Sequence, residues 1–135
     1  MRQYDDHLLQ IPLFSGFSRK DLEHVHRIST EIEVPAGQVL MQEGSNGHEM
    51  VVVLEGTLEV TQQGEHVADI GPGGFAGELA LLSHRLRSST VTARTASKLL
   101  HLDGRGFDAL LEDVPQLAVK MLPIIAARIA PLEHD

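Results

Sequence analysis

The residues best suited to chemistry lie in two short runs in the second half of the chain. In residues 74–82 a glycine-rich turn leads into a short helical segment that carries Glu78. In residues 87–91 Arg87 precedes two serines and a β-branched strand. Backbone N–H groups at a helix start and an arginine side chain bind anions, and a carboxylate accepts a hydrogen bond from a hydroxyl. These residue types together indicate a small ligand that carries one phosphate charge and one sugar hydroxyl.

The same two runs resemble the phosphate-binding cassette of cyclic-nucleotide-binding domains. These are the sensor domains of the catabolite activator protein, of protein kinase A regulatory subunits and of cyclic-nucleotide-gated channels. The family pattern is roughly F-G-E-(L/I)-A-L-(L/I), a short loop and P-R-(S/A/T)-A-(T/S)-V. This chain reads F-A-G-E-L-A-L-L, then S-H-R-L and R-S-S-T-V. Arg87 follows Glu78 by 87 − 78 = 9 positions, the kinase-type spacing, and the resemblance extends over nearly the whole chain.

The resemblance implies that Arg87 binds the cyclic phosphate and that Glu78 accepts from the ribose 2′-hydroxyl. An arginine suits the first role because it stays charged and offers two parallel donors. Leu79 and Ala80 would donate backbone N–H groups to the phosphate or the sugar. Gly77 matches the cassette glycine, where a side chain would block close approach of the backbone.

Two serines complete the implied ligand-binding set. The hydroxyl and N–H of Ser88 can reach an equatorial phosphate oxygen. In similar domains this position influences the choice between adenine and guanine, and a serine leaves that choice open. Ser89 stands where the family usually has alanine. No aromatic residue follows Phe107, so no stacked lid over the base is available from the last helix. Ile124, Ile125 or Arg128 could cap the base by apolar or cation contact instead.

Composition limits the function classes. A chain of 135 residues is long enough for one core, and its net charge of −8 argues against a nucleic-acid surface. The absence of cysteine excludes disulfides, cysteine-ligated zinc and iron–sulfur clusters. No apolar run is long enough for a membrane span, and the acidic first residues carry no signal-peptide core. The sequence therefore predicts a cytoplasmic protein.

The pattern around the cassette predicts a single domain over residues 1–135, mainly β, with flanking helices. Helices are expected within residues 5–28, one of them over about Arg19 to Ile28 behind the N-cap Ser18. Short β-prone runs separated by turns fill residues 30–103, which indicates a β-roll of the double-stranded β-helix (jelly-roll) type. Residues 50–54 form a continuous apolar run, typical of a strand buried on both faces. Strands are also expected over residues 89–93 and 98–102.

Helical periodicity returns in residues 104–131 and predicts a C-terminal helical lid. Pro115 opens its second helix, and Pro123 is expected to kink or shorten it. The apolar residues Leu117, Met121, Ile124 and Ile125 are candidates for a lid, a dimer seam or a contact to an output domain. The alternative is that this face packs on the β-roll.

We interpret the chain as a cyclic-nucleotide sensor for cyclic AMP, with cyclic GMP as the alternative ligand, and not as an enzyme. One rival is a β-roll interaction module that no longer binds cyclic nucleotides. The other is a cupin-like metal-binding protein, suggested by His24 and His26. A spacing of two on a predicted helix places those imidazoles on different faces, so no metal is expected. We expect the partners to be the nucleotide and a second copy or an output domain, with neither membrane nor nucleic acid.

Overall fold

The computed structural model describes residues 12–133, apart from the side chains of Pro12 and of residues 130–133. The predicted short helix at residues 5–10 lies outside the described residues. A 3₁₀ turn at Pro12–Phe14 precedes four helices: α1 (Arg19–Ile28), α2 (Glu78–Ser83), α3 (Gly104–Asp113) and α4 (Pro115–Glu133). The strands are β1 (Thr30–Val34), β2 (Val39–Met41), β3 (Glu49–Glu55), β4 (Leu58–Gln62), β5 (Glu65–Ile70), β6 (Phe75–Ala76), β7 (Thr90–Ala93) and β8 (Ser97–Asp103).

The strands form two four-stranded antiparallel sheets, in the orders β1-β8-β3-β6 and β2-β7-β4-β5. Consecutive strands repeatedly change sheet, as in a jelly roll. The predicted mainly β fold with flanking helices is therefore confirmed. Two strands differ slightly from the predicted bounds, because β7 begins at Thr90 and β8 extends one residue further at each end.

Strand β3 explains how one sheet is covered on both faces. Val51 and Val53 belong to the apolar cluster between the two sheets. Met50, Val52 and Leu54 belong to the cluster that packs against the helices. Since successive side chains of a strand point to opposite faces, the continuous apolar run at residues 50–54 is buried on both sides, as predicted.

Helix α1 begins and ends at the predicted residues. The Ser18 hydroxyl accepts from the backbone N–H of Asp21, and the Asp21 carboxylate accepts from the backbone N–H of Ser18, at 3.1 Å each. This capping box satisfies two donors that a helix start otherwise leaves unpaired. The helix then buries Leu22 and Val25 in the cluster beneath the sheet.

Helix α4 bears on two expectations from the sequence. Pro123 does not shorten it, since the helix runs from Pro115 to Glu133. Pro123 is exposed, and Val119, whose carbonyl loses its partner four residues on, is 66% exposed, so water can reach that carbonyl. For three of the four apolar residues the packing alternative holds, because Leu117 and Met121 are buried in the cluster beneath the sheet and Ile125 packs against it. Of the four lid candidates only Ile124, 41% exposed, remains on the surface.

Candidate functional site

Gly77 forms the turn between β6 and α2. Its φ of 97° lies in the left-handed region that favours glycine. A Cβ at this position would lie 2.7 Å from the Arg87 guanidinium, from the Glu49 carbonyl oxygen and from the Met41 side chain. The turn therefore needs a residue without a side chain on two counts, and it leads directly into α2.

Arg87 is 7% exposed and is held from both ends. Its backbone N–H donates to the Ser45 carbonyl at 2.8 Å, and its carbonyl accepts from the Gly44 N–H at 2.9 Å. Its guanidinium donates through Nη1 to the Gly77 carbonyl at 3.0 Å and through Nη2 to the Glu49 carbonyl at 2.7 Å. The cation is thus fixed against the cassette turn.

Burial lowers the pKa of the Arg87 guanidinium, and the charges of Glu49 and Glu78 oppose that effect. An arginine remains protonated at any working pH in spite of such a shift. The structure therefore keeps a permanent positive charge directly beside the Gly77 turn.

Glu78, the first residue of α2, is buried to 1% exposure. Its Oε1 accepts from Nη1 of Arg128 at 2.6 Å. Its Oε2 is also buried, and within the part of the chain that the structure describes it has no hydrogen-bond partner. Buried carboxylate oxygens rarely stay unpaired in proteins, so this atom is the strongest indication of a ligand.

Arg128 reaches this carboxylate from α4. Its Nη2 donates to the Phe75 carbonyl at 2.5 Å, and its guanidinium lies 4.7 Å from the centre of the Phe75 ring. The side chain is partly buried, with 27% exposure. Arg128 thereby ties the last helix to the strand and helix that form the cassette.

A cavity of about 290 Å³ opens beside these residues. Its lining combines the cassette turn, Ser88 and Arg128 with apolar side chains of β4, β5 and β7. The lining residues are Val60, Gln62, Val67, Ala68, Ile70, Ala76, Gly77, Glu78, Leu79, Ala80, Ser88, Ser89, Val91, Ala127 and Arg128. This volume is at the lower end of the range for small-molecule pockets, so the ligand must be compact.

The structure brings together six of the seven residues singled out in the sequence. Gly77, Glu78, Leu79, Ala80, Ser88 and Ser89 all line the cavity. Arg87 contacts the same turn but is not among the lining residues, because its guanidinium is engaged by the carbonyls of Gly77 and Glu49. Of the three residues suggested to cap a base, only Arg128 lines the cavity. Its ion pair with Glu78 places it beside the cassette turn.

Sequence reasoning missed the wall formed by the β4–β5 hairpin. Val67 and Ala68 are exposed and read as an ordinary edge strand, since neither residue type marks a ligand site. Gln62 closes β4 and is the polar member of this wall. Only the place of these residues in the fold could have identified them. In a roll of this topology β4 lies directly beside β7, which begins immediately after Ser88 and Ser89.

The histidines take structural roles where their contacts are known. His24 Nε2 lies 2.6 Å from an Asp113 carboxylate oxygen and joins α1 to α3. His101 pairs with Glu49 at 3.2 Å, and His66 with Glu59 at 2.8 Å. Over residues 12–133, no three metal-ligating side chains are grouped so that they could hold an ion. In the same range no helix has the length and apolar character needed to cross a bilayer.

Comparison with known proteins places this geometry in a family. Residues 31–114 match the family model described as cyclic nucleotide-binding domain. A cyclic nucleotide-gated potassium channel of Mesorhizobium japonicum is 36% identical over 108 residues, which make up 80% of this chain and 30% of the channel. The solved regulatory domain of Toxoplasma gondii PKA with cAMP is 35% identical, with a TM-score of 0.68, and the match covers 82% of this chain and 44% of that one.

A third likeness concerns the fold alone. The regulatory subunit of a cAMP-independent protein kinase A from Trypanosoma brucei has a TM-score of 0.79 at 23% identity, over 93% of this chain and 46% of that one. The chain spans about 30% of the length of the first curated relatives it matches. The cassette turn, Glu78 and Arg87 all lie within the matched residues. Together with that match, they show that the chain belongs to the family of cyclic nucleotide-binding domains.

Proposed function

We propose that this chain is a regulatory module that binds cyclic AMP in the 290 Å³ cavity. The observation that carries the proposal is Oε2 of Glu78, a buried carboxylate oxygen without a partner in the described residues, on a residue that lines the cavity. A ribose 2′-hydroxyl is a donor of the right size and chemistry to satisfy it. Its arrival would remove the free-energy cost of leaving a buried acceptor unpaired.

The phosphate is expected at the Gly77 turn. Leu79 and Ala80 line the cavity together with Ser88, which makes their N–H groups candidate donors, and the Arg87 charge lies immediately behind the turn. A guanidinium has five N–H donors, so its two bonds to carbonyls leave further donors for an anion. The Glu78 carboxylate is already paired by Arg128, so Arg87, which also feels the charge of Glu49, is the cation nearest to the expected phosphate.

The relatives support the same ligand class. The Toxoplasma structure holds cAMP, and the Mesorhizobium protein is named as a channel gated by cyclic nucleotides. Neither description gives this kind of domain a catalytic task, so we infer a binding role and no enzymatic one. The acidic, cysteine-free composition fits the cytoplasmic location expected for such a sensor.

We infer that α4 transmits the binding event. Ala127 and Arg128 line the cavity, while Val119, Leu122 and Ile124 on the same helix are 66%, 59% and 41% exposed. A ligand that binds differently to two positions of α4 shifts the balance between them. The exposed apolar residues then offer a contact for an output domain or for a second copy of the chain.

Calorimetric titration of the purified chain tests the proposal. We expect cyclic AMP to give a heat of binding. The dissociation constant of 2′-deoxy cyclic AMP should be at least about tenfold larger, because a hydrogen bond to a buried carboxylate is lost. In Glu78→Gln that preference for the 2′-hydroxyl should shrink. The control Glu112→Gln changes an exposed carboxylate on α3 and should leave both constants unaltered.

The other outcomes identify the rivals. Absence of any heat of binding with both cyclic AMP and cyclic GMP would refute the proposal and favour an interaction module that uses the same fold. Tighter binding of cyclic GMP would keep the site and change the ligand. A stoichiometric transition metal in the purified protein would favour the cupin-like alternative.

A further inference from the structure

The cavity lining contributed by β4, β5 and residues 89–91 is apolar, with two side-chain exceptions. Val60, Val67 and Ile70 line it from β4 and β5. The hydrogen-bonding side chains on this wall are those of Gln62 and Ser89. If the phosphate and ribose lie at the Gly77 turn, as the proposed function requires, the base extends along this wall. Specific polar contacts to the base can therefore come from these two side chains. The Ser88 hydroxyl also lines the cavity, but it can donate or accept and so leaves the choice of base open.

Gln62 is held in place by its neighbours. Its Nε2 donates to the Ser89 hydroxyl oxygen at 3.0 Å, across the gap between β4 and the segment before β7. The next residue, Gln63, donates its backbone N–H to a Glu43 carboxylate oxygen at 2.9 Å, which fixes the β4–β5 turn. The amide of Gln62 is thus positioned before a ligand arrives, and preorganised donors and acceptors contribute more to binding than mobile ones.

We propose that Gln62, anchored by Ser89, is the residue that selects the base of the bound nucleotide and that it favours a 6-aminopurine. This inference rests on the proposed function and adds the specificity of the same site. With one Nε2–H given to Ser89, the amide keeps one N–H donor and the Oε1 acceptor. A donor next to an acceptor complements the N7 and 6-amino groups of adenine.

A 6-oxopurine meets the same amide less well. Guanine and hypoxanthine present two acceptors, N7 and O6, on that edge. The remaining N–H of Gln62 can satisfy one of them, and Oε1 then faces the other acceptor. Gln62 is exposed in the free chain, so the expected discrimination is the loss of one hydrogen bond to the base rather than the cost of a buried unpaired group.

Titration of the chain with cyclic AMP and cyclic IMP tests the assignment, because the two ligands share sugar and phosphate and differ in the base at C6. In the natural chain we expect cyclic AMP to bind at least about tenfold tighter, and cyclic GMP to behave like cyclic IMP. In Gln62→Leu the ratio of the two dissociation constants should fall to about one. Ser89→Ala should give an intermediate ratio, since the amide loses its anchor.

Gln42→Leu is the matched control. Its amide donates to the Thr90 hydroxyl at 3.4 Å beside the same strand, but Gln42 does not line the cavity. An unchanged ratio in Gln62→Leu, or an equal change in Gln42→Leu, would overturn the assignment. Equal binding of cyclic AMP and cyclic IMP by the natural chain would overturn it too, while leaving the proposed function intact. Absence of binding to every nucleotide would overturn both.

Discussion

The carboxylate of Glu78 and the guanidinium of Arg128 lie 2.6 Å apart, although one residue starts the cassette helix and the other sits on the last helix. Their separation along the chain is 128 − 78 = 50 positions. Glu78 is 1% exposed and Arg128 27% exposed in this pair. The contact therefore links the centre of the candidate site to the element that can carry a signal out of it.

Arg128→Met tests how much the Glu78–Arg128 ion pair contributes to the free energy of unfolding. The buried Glu78 charge would lose its partner, so we expect the free energy of unfolding to fall by about 2–4 kcal/mol in urea denaturation. The control Arg94→Met breaks an ion pair with Asp69 whose members are 54% and 42% exposed. That change should cost about 1 kcal/mol or less. Equal losses in the two variants would show that the Glu78–Arg128 pair behaves as a surface contact.

Arg87→Lys tests the need for a planar fork at the phosphate. A lysine keeps the charge but cannot hold the carbonyls of Gly77 and Glu49 and an anion in one fixed geometry. Calorimetry should show cyclic AMP bound at least about tenfold more weakly, and urea denaturation a loss of about 1–3 kcal/mol in stability. Arg85→Lys, in the same loop but exposed, should change neither quantity. Undiminished affinity in Arg87→Lys would remove Arg87 from the phosphate site.

Gly77→Ala tests the close approach of three chain segments at the cassette turn. The new Cβ would lie 2.7 Å from atoms of Arg87, Glu49 and Met41, in addition to the cost of a φ of 97°. We expect a loss of about 3 kcal/mol or more in urea denaturation. Gly37→Ala has a similar φ of 92° with nothing near its Cβ, and should lose only about 1 kcal/mol. Similar losses at both positions would mean that backbone conformation alone accounts for the effect.

Local sequence signals gave reliable predictions where the cause is local. The capping box of Ser18 and Asp21 depends on residues three positions apart, and the helix behind it begins where predicted. The apolar run at residues 50–54 forced a strand covered on both faces. The cassette residues came together because the turn, α2 and the approach to β7 are close along the chain.

Contacts between distant residues were beyond such signals. The sequence suggests Arg128 only as a cap for a base, since nothing among its neighbours in the chain points to Glu78. Gln62 and Ser89 meet because β4 pairs with β7, a strand order that the sequence pattern does not reveal. Isolated polar residues at strand ends look alike in sequence, and only the register of the sheet decides which of them face a cavity.

The unbroken helix α4 leads to a last prediction. Pro123 lacks an N–H group and lies within a helix that continues to Glu133, so the Val119 carbonyl has no partner four residues later. Pro123→Ala restores that donor, and both positions are exposed, so no packing is disturbed. We expect the free energy of unfolding to rise by about 1–3 kcal/mol.

Thermal and urea denaturation would measure the gain. Pro115→Ala is the matched control, because Pro115 is the first residue of the same helix, where a missing N–H costs nothing. That variant should be neutral or slightly less stable. A loss of stability in Pro123→Ala would contradict this account and would mean that the proline ring itself stabilises the free chain. Ligand titration of the same variant would then show whether cyclic AMP binding also depends on Pro123.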